Sequence, residues 1–252
     1  MKATLVRFTS DPLMLLEEAA SQCYQSEPSA TGRIVKQCYV NGHHSVLEHV
    51  YVTFNISGVS RTLLAQITRH RLASFSIESQ RYVDYDEGFS FVTPPEILAN
   101  EEAYKVFQAA MTQDLMNYTK LKSLGIASEN ARFVLPGGAC FKGTVSFNLR
   151  EFIHMANLRL CARAQWEIRE LVREMVKEFN KATDNVFAYM LVPVCEKDPE
   201  HPYCPEGKKC CDRHFTLDEI FNMAGLIKGR RTKKAYKDYM NEQHKEKEQQ
   251  ES

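Results

Sequence analysis

The 252-residue sequence has no excess of charge of either sign: 32 Lys and Arg are matched by 32 Asp and Glu. No net basic field draws the chain to nucleic acid or to an anionic membrane. No apolar run is long enough to span a bilayer, and the opening "MKATLVRFTSDP" lacks the apolar stretch of a signal peptide. There is no internal repeat, and the expected strands and helices do not alternate as βαβ units do, which argues against a doubly wound parallel sheet. The eight cysteines lack an extracellular context and read as thiols of a cytoplasmic protein. The composition, 44% hydrophobic and 25% charged, is that of a soluble globular domain able to bury a sizeable core.

The periodicities predict an α+β fold, with helices packed around a mainly antiparallel sheet. "ATLVRF" reads as a first strand. Asp11 and Pro12 open a helix to about Tyr24, and a short helix through Ile34 and Val35 ends at Gly42. "SVLE" (45–48) matches a capping box. "HVYVTFNI" places Val50, Val52, Phe54 and Ile56 on one strand face. Val59, Leu63 and Ile67 have helical spacing, and Gln66, Arg69 and His70 share another face of that helix. The alternation after Arg71 is extended, and "EGFSFVTPP" reads as a strand and a break. Residues 96–124 read as one helix. Asn148, with Glu151 three residues on, caps a long helix running to about Lys181, striped by Phe152, Ala156, Leu160, Ala164, Ile168, Leu171 and Met175. Thr216 and Glu219 form a second capping box. One domain over 1–228 is expected, and the polar stretch 229–252 reads as a mobile tail.

Four clusters could carry chemistry. "RHRLASFSIESQR" (69–81) sets Arg69, His70 and Arg71 side by side and reaches a fourth cation at Arg81. A helix C-terminus accounts for one or two basic residues. It does not account for Gln66, Arg69 and His70 on one face with Arg81 beyond, and arginine forks suit phosphate. "NGHHSVLEH" holds His43, His44, Glu48 and His49, but irregular spacing and few carboxylates argue against a metal. In the third cluster Arg132 precedes Val-Leu-Pro, while Asn148, Arg150, His154 and Arg159 populate the long helix. His154 and Arg159 lie about 140° apart around a helix and so should serve different ligands or different partners. Arg163, Arg169 and Arg173 read as a solvated lattice with Glu167 and Glu170. The fourth cluster, Cys195, Cys204, Cys210, Cys211 and His214, has the composition of a zinc loop without the spacing of a CxxC knuckle. It reads as free thiols in a surface loop, with no metal expected.

The first of these stretches resembles the signature of the flavin-dependent thymidylate synthases: Arg-His-Arg, seven residues, Ser, any residue, Arg. Here these are Arg69, His70, Arg71, Ser79 and Arg81. The resemblance extends over roughly residues 40 to 170, through "GHHSVLEH", "AQITRHR", "ARFVLP" and "NLREFIHMANLRLCARAQWEIR". It implies an enzyme that makes dTMP from dUMP, a methyltransferase with FAD as cofactor and methylenetetrahydrofolate and NADPH as co-substrates. The implied assembly is a cytoplasmic homotetramer with shared active sites. By the same resemblance His43, Ser45, Arg69, His70, Arg71, Asn148, Arg150 and His154 contact FAD. Gln66, Arg69, Ser79, Arg81 and Arg132 hold dUMP, helped by the backbone around Glu78, and Arg159 sits on the pyrimidine and favours its ionisation. Ser76-Ile77 stands where many members have Asn-Glu, so an FAD contact from that acid is not available here. Two other classes remain open: an RNA- or nucleotide-binding module without flavin, using Phe75 and Tyr82 beside the cations, and a nucleotide enzyme with Cys140 or Cys161 as nucleophile. Both thiols lie in apolar sequence and are expected to be buried.

Overall fold

The computed structural model describes residues 1–85 and 88–223 together with positions 238 and 241. Apart from those two positions, the stretch expected to be a tail lies outside the described residues. In chain order the elements are β1 (Lys2–Phe8), α1 (Pro12–Tyr24), α2 (Arg33–Val40), β2 (Tyr51–Ser60), α3 (Arg61–Ile67), β3 (Ser74–Ile77), α4 (Pro95–Leu98), α5 (Glu101–Ser123), α6 (Ser128–Ala131), β4 (Cys140–Asn148), α7 (Leu149–Arg159), α8 (Trp166–Ala182) and α9 (Leu217–Met223). The strands form one antiparallel sheet in the order β1-β2-β4-β3. The α+β expectation is met. No helix among the described residues is long and apolar enough to cross a membrane.

The expected inner strand face is the core. Val50, Val52, Phe54 and Ile56 are buried together with Val145 and Phe147 of β4. Phe147 continues into Phe152 of α7 (ring centroids 5.0 Å), then Phe179 of α8 (5.7 Å) and Phe187 (5.7 Å), giving an aromatic spine under the sheet. The other face is polar: Thr53 bonds Ser146 across β2 and β4 (2.9 Å), and Thr144 donates to Asn55 (2.7 Å). β2 runs directly into α3 and β4 directly into α7, from opposite ends of the same strand pair, because Ser60 faces Cys140 and Tyr51 faces Asn148. α8 packs on β1, α3 and α7.

Two helices end where side chains, rather than sequence breakers, stop them. The single helix expected over 148–181 is divided at 160–165. Gln165 accepts from the amides of Glu167 (3.0 Å) and Ile168 (3.2 Å), and Arg169 donates to the Ala162 carbonyl (2.6 Å). The helix expected over 96–124 is likewise two, restarted by Asn100, which accepts from the Ala103 amide (3.1 Å). "SVLE" forms a 3-10 turn rather than a capped helix, and Phe91 makes one isolated bridge, to Ala139, instead of a strand. Asn148 does cap α7, and the Thr216–Glu219 box closes reciprocally. Glu167, expected among surface arginines, is buried and grips Ser60 through its amide and hydroxyl, both at 2.6 Å. That removes the carboxylate from water while anchoring the start of α3.

β3 is held by close backbone approach. A Cβ on Gly143 would sit 2.6 Å from Ile77 Cδ1 and 2.8 Å from the Ser76 carbonyl oxygen. Gly143→Ala is therefore expected to displace β3 and cost about 1–3 kcal/mol, read as a lower urea midpoint at unchanged slope. An unchanged midpoint would show that β3 yields freely.

Candidate functional site

α3 ends at Ile67, so Gln66, Arg69 and His70 do not share a helical face as expected; the chain turns over Thr68 and Arg69 and drops His70 into the interior. His70 is 3% exposed. Its Nδ1 lies 2.8 Å from Oε1 of buried Glu151, and the Arg159 Nε–H donates to its Nε2 at 3.1 Å. An acceptor role at Nε2 places the imidazole proton on Nδ1, which then donates to Glu151. Burial is the main cause that lowers the His70 pKa from its ordinary 6.5; the Glu151 hydrogen bond opposes this, and the Arg159 charge reinforces it. The ring is thus neutral at neutral pH. Arg159 also donates to the Gln66 carbonyl (3.3 Å), and burial, then the charge of Arg69, pushes its pKa down. Two of its N–H groups are fixed inside the protein and the rest are left for a ligand.

His154 meets the same point: its ring lies 5.9 Å from that of His70. Although about 140° apart around the helix, His154 and Arg159 thus both reach His70. Arg159 is the last residue of α7, and its long side chain folds back to the histidine that His154 also touches. His70, Glu151 and His154 each bring a potential ligand atom within 4.8 Å of the others. The Arg159 guanidinium against the imidazole disfavours a second cation there, and the Glu151 carboxylate is already engaged.

The other expected site residues fall into further groups. Arg81 pairs with Glu129 (3.0 Å), and Arg132 donates to the Glu129 carbonyl (3.0 Å). Ser79 Oγ accepts from the Arg81 amide (3.2 Å). Arg61 donates to the Glu78 carbonyl (2.7 Å), and the Glu78 amide donates to Lys142 (3.0 Å), so the Glu78 backbone is engaged inside the chain. The Glu78 carboxylate accepts from Tyr85 (2.9 Å). Arg150 pairs with Glu48, next to the exposed Ser45 and His43. Asn148 spends its side chain on the α7 cap. Ile77 packs on the main core, with no acid in its place. Among the described residues Arg69 and Arg71 have no ion-pair partner. Both are exposed and flank His70 in the chain, and the Arg69 charge reaches Arg159.

Glu151 and Arg61 were missed in the sequence. The spacing from Asn148 marks Glu151 as a cap partner, and nothing in it signals a buried carboxylate facing residue 70. Cys140 and Cys161 are half-buried rather than buried, and burial raises the Cys140 thiol pKa, which disfavours a nucleophile there.

A family model described as thymidylate synthase complementing protein matches residues 4–183. A flavin-dependent thymidylate synthase of Geobacter sulfurreducens is 38% identical over 232 residues, covering 88% of this chain and 98% of that protein. One of Pyrococcus furiosus is 35% identical over 219 residues, covering 82% and 90%. The fold is similar to that of the Helicobacter pylori thymidylate synthase X solved with FAD and dUMP (TM-score 0.63, 24% identity, 76% of this chain and 99% of that one).

Since its folded pKa is lowered, His70 binds its proton later than the unfolded chain does as pH falls. Its contribution to stability is present above about pH 6.5 and is lost as pH drops through the folded value. Thermal midpoints of the wild type should fall more steeply on acidification below that pH than those of His70→Gln. Parallel curves would show that His70 titrates as in the unfolded chain.

Proposed function

The chain belongs to the flavin-dependent thymidylate synthase family, and from that premise we propose that it converts dUMP to dTMP with bound FAD. Methylenetetrahydrofolate is the one-carbon donor, and NADPH reduces the flavin, which supplies the hydride. The observation that carries the reading is the set Arg69, Arg71 and Arg159: two exposed arginines flanking buried His70 in the chain and a third bonded to its ring, none with a carboxylate partner among the described residues. Such a set suits two phosphorylated ligands held close together.

The donor set fits FAD. Arg69 and Arg71 would hold its pyrophosphate, with Arg150, His154, His43 and Ser45 as further contacts; Arg150 would exchange Glu48 for the ligand. His70 is buried too deeply to offer a free N–H, so its part is to orient Arg159 and present a ring edge. Asn148 acts through the cap that sets the start of α7. Gln66, Ser79, Arg81 and Arg132 would hold dUMP, Arg81 being released from Glu129 by the phosphate. Arg159, fixed by His70 and the Gln66 carbonyl, directs its remaining N–H groups to the pyrimidine and stabilises negative charge as it develops there.

The Arg81 group and the Arg159 group lie on different elements, and three of the site arginines each adjoin an exposed apolar residue. Leu72 follows Arg71 (67% exposed), Tyr82 follows Arg81 (81%) and Phe133 follows Arg132 (83%). Apolar rims of this kind favour burial against other subunits. We read the assembly as a cytoplasmic homotetramer with sites shared between chains, residues 1–228 forming the catalytic domain and 229–252 a tail.

Arg71→Ala should lose flavin, seen as a weaker yellow absorbance of the purified protein; full retention at unchanged affinity would remove Arg71 from the FAD site. Arg159→Ala should lower kcat/KM for dUMP by about 10²–10³-fold while the flavin stays bound. Co-expressed Arg81→Ala and Arg159→Ala chains, each nearly inactive alone, should recover part of the dTMP synthesis. Verified mixed oligomers without any recovery would place both arginines in one chain's site.

A further inference from the structure

The segment after α8 brings four of the eight cysteines, Cys195, Cys204, Cys210 and Cys211, beside Cys161 of the turn before α8. A small cavity is lined by Cys161, Cys195, Cys204 and Cys211. Cys195 is at the 3-10 turn after Pro193, and Cys204 is fixed by its amide bonding the Phe215 carbonyl (2.8 Å) and by a bridge to Thr216. Cys195 and Cys204 are buried. Two of the turns present sulfur in the same way. The Asp212 amide donates to Cys210 Sγ at 3.3 Å, and the Glu206 backbone hydrogen-bonds the Cys204 sulfur, so each thiol receives the residue two positions on. The positive φ of Gly207 (54°) and Asp212 (60°) lets the chain reverse after each. Cys204 in turn contacts Cys210 through its side chain.

A nitrogen donor lies beside Cys195. Ligand atoms of Cys195, Glu196 and His214 lie within 4.8 Å of one another. His214 Nε2 is buried, lies 3.5 Å from Glu196 Oε1, and completes no hydrogen bond. Glu196 is itself held by Arg213 at 2.9 Å. We propose that Cys195, Cys204, Cys210 and His214 bind a structural zinc ion. Three thiolates and an imidazole are a usual tetrahedral set for zinc. Binding releases the three thiol protons to solvent. With Nδ1 on the metal, Nε2 can donate to Glu196 Oε1, 3.5 Å away, a carboxylate–histidine–zinc arrangement.

The linear sequence argues against this site because the spacings Cys195–Cys204 and Cys204–Cys210 match no CxxC knuckle. The fold supplies the convergence instead, through the Tyr203 amide on the Cys195 carbonyl (3.1 Å) and the Cys210 thiol on the His214 carbonyl (3.2 Å). The loop rests on the 160–165 turn, where Arg163 bonds the Lys209 carbonyl (3.3 Å) and pairs with Glu206 (3.7 Å). Zinc there would clamp the loop onto the turn that follows Arg159, and it takes no part in the nucleotide chemistry.

The full chain, made without a metal-binding tag and equilibrated with zinc, should carry one zinc per chain by elemental analysis. Cys204→Ser and Cys210→Ser should lose at least tenfold of that content, and the exposed Cys23→Ser should keep it. Should the variants fail to fold, the wild type decides: chelation should expose three further thiols to a colorimetric thiol reagent and lower the thermal midpoint. Absence of zinc after equilibration, iron in its place, or a thiol count unmoved by chelation would each overturn the proposal, as would full zinc content in folded Cys204→Ser and Cys210→Ser.

Discussion

The contact on which the site depends is the buried chain Glu151–His70–Arg159. α3 and α7 leave opposite ends of the β2–β4 pair, and no helix face is broad enough to join them at the point where the cations gather. One imidazole does so. It accepts from the arginine on one side and donates to the carboxylate on the other, at 3.1 and 2.8 Å. A charged histidine could not accept from Arg159, so the same burial that keeps His70 neutral makes the joint possible. The cationic surface is therefore set by a neutral group.

Buried carboxylates do similar work elsewhere in the fold. Glu17 accepts from the amides of Ile34 (2.8 Å) and Val35 (2.9 Å) and so seats the start of α2. Glu167 seats the start of α3 through Ser60. In both cases the charge sits at a helix N-terminus, where unpaired amides and the helix dipole offset its desolvation. Glu151 lies in the first turn of α7 and turns its side chain to His70 instead. Two glutamates taken from water thus fix two helix starts, and the third fixes the histidine that holds the arginine expected to act on the substrate.

This division explains what the sequence disclosed. The alternation from Val50 to Ile56 names the inner strand face because a strand buried on one side must alternate. Asn148 and the Thr216–Glu219 pair are legible because capping is local. The break at 160–165 is not, since "LCARAQ" contains no residue that forbids helix; a glutamine cap and an arginine reaching back to Ala162 end α7, and both are settled by the folded arrangement. Asn100 followed by two glutamates was a readable start signal for α5 that the apolar pattern concealed. For the site, the Arg-His-Arg stretch points to an anion from residue types alone. That His70 faces inward while Arg69 and Arg71 face out follows from where α3 stops, and its partner 81 residues away follows only from packing.

The distribution of counter-charge separates the arginine groups from each other. Arg81 and Arg150 keep carboxylate partners, Glu129 and Glu48, on half-exposed surface where such pairs contribute little. They can exchange those partners for phosphate at small cost. Arg159 cannot make such an exchange, because its fixed contacts are a neutral imidazole and a carbonyl, and partial burial already weakens its hold on the proton. An arginine so placed gains most from an anion that comes to it out of water. On the proposed reading, the exposed arginines choose and seat the phosphates, and the half-buried one is kept for charge that appears on the ring. The core beneath them, from Phe54 to Phe187, supplies the rigidity that a fixed guanidinium needs.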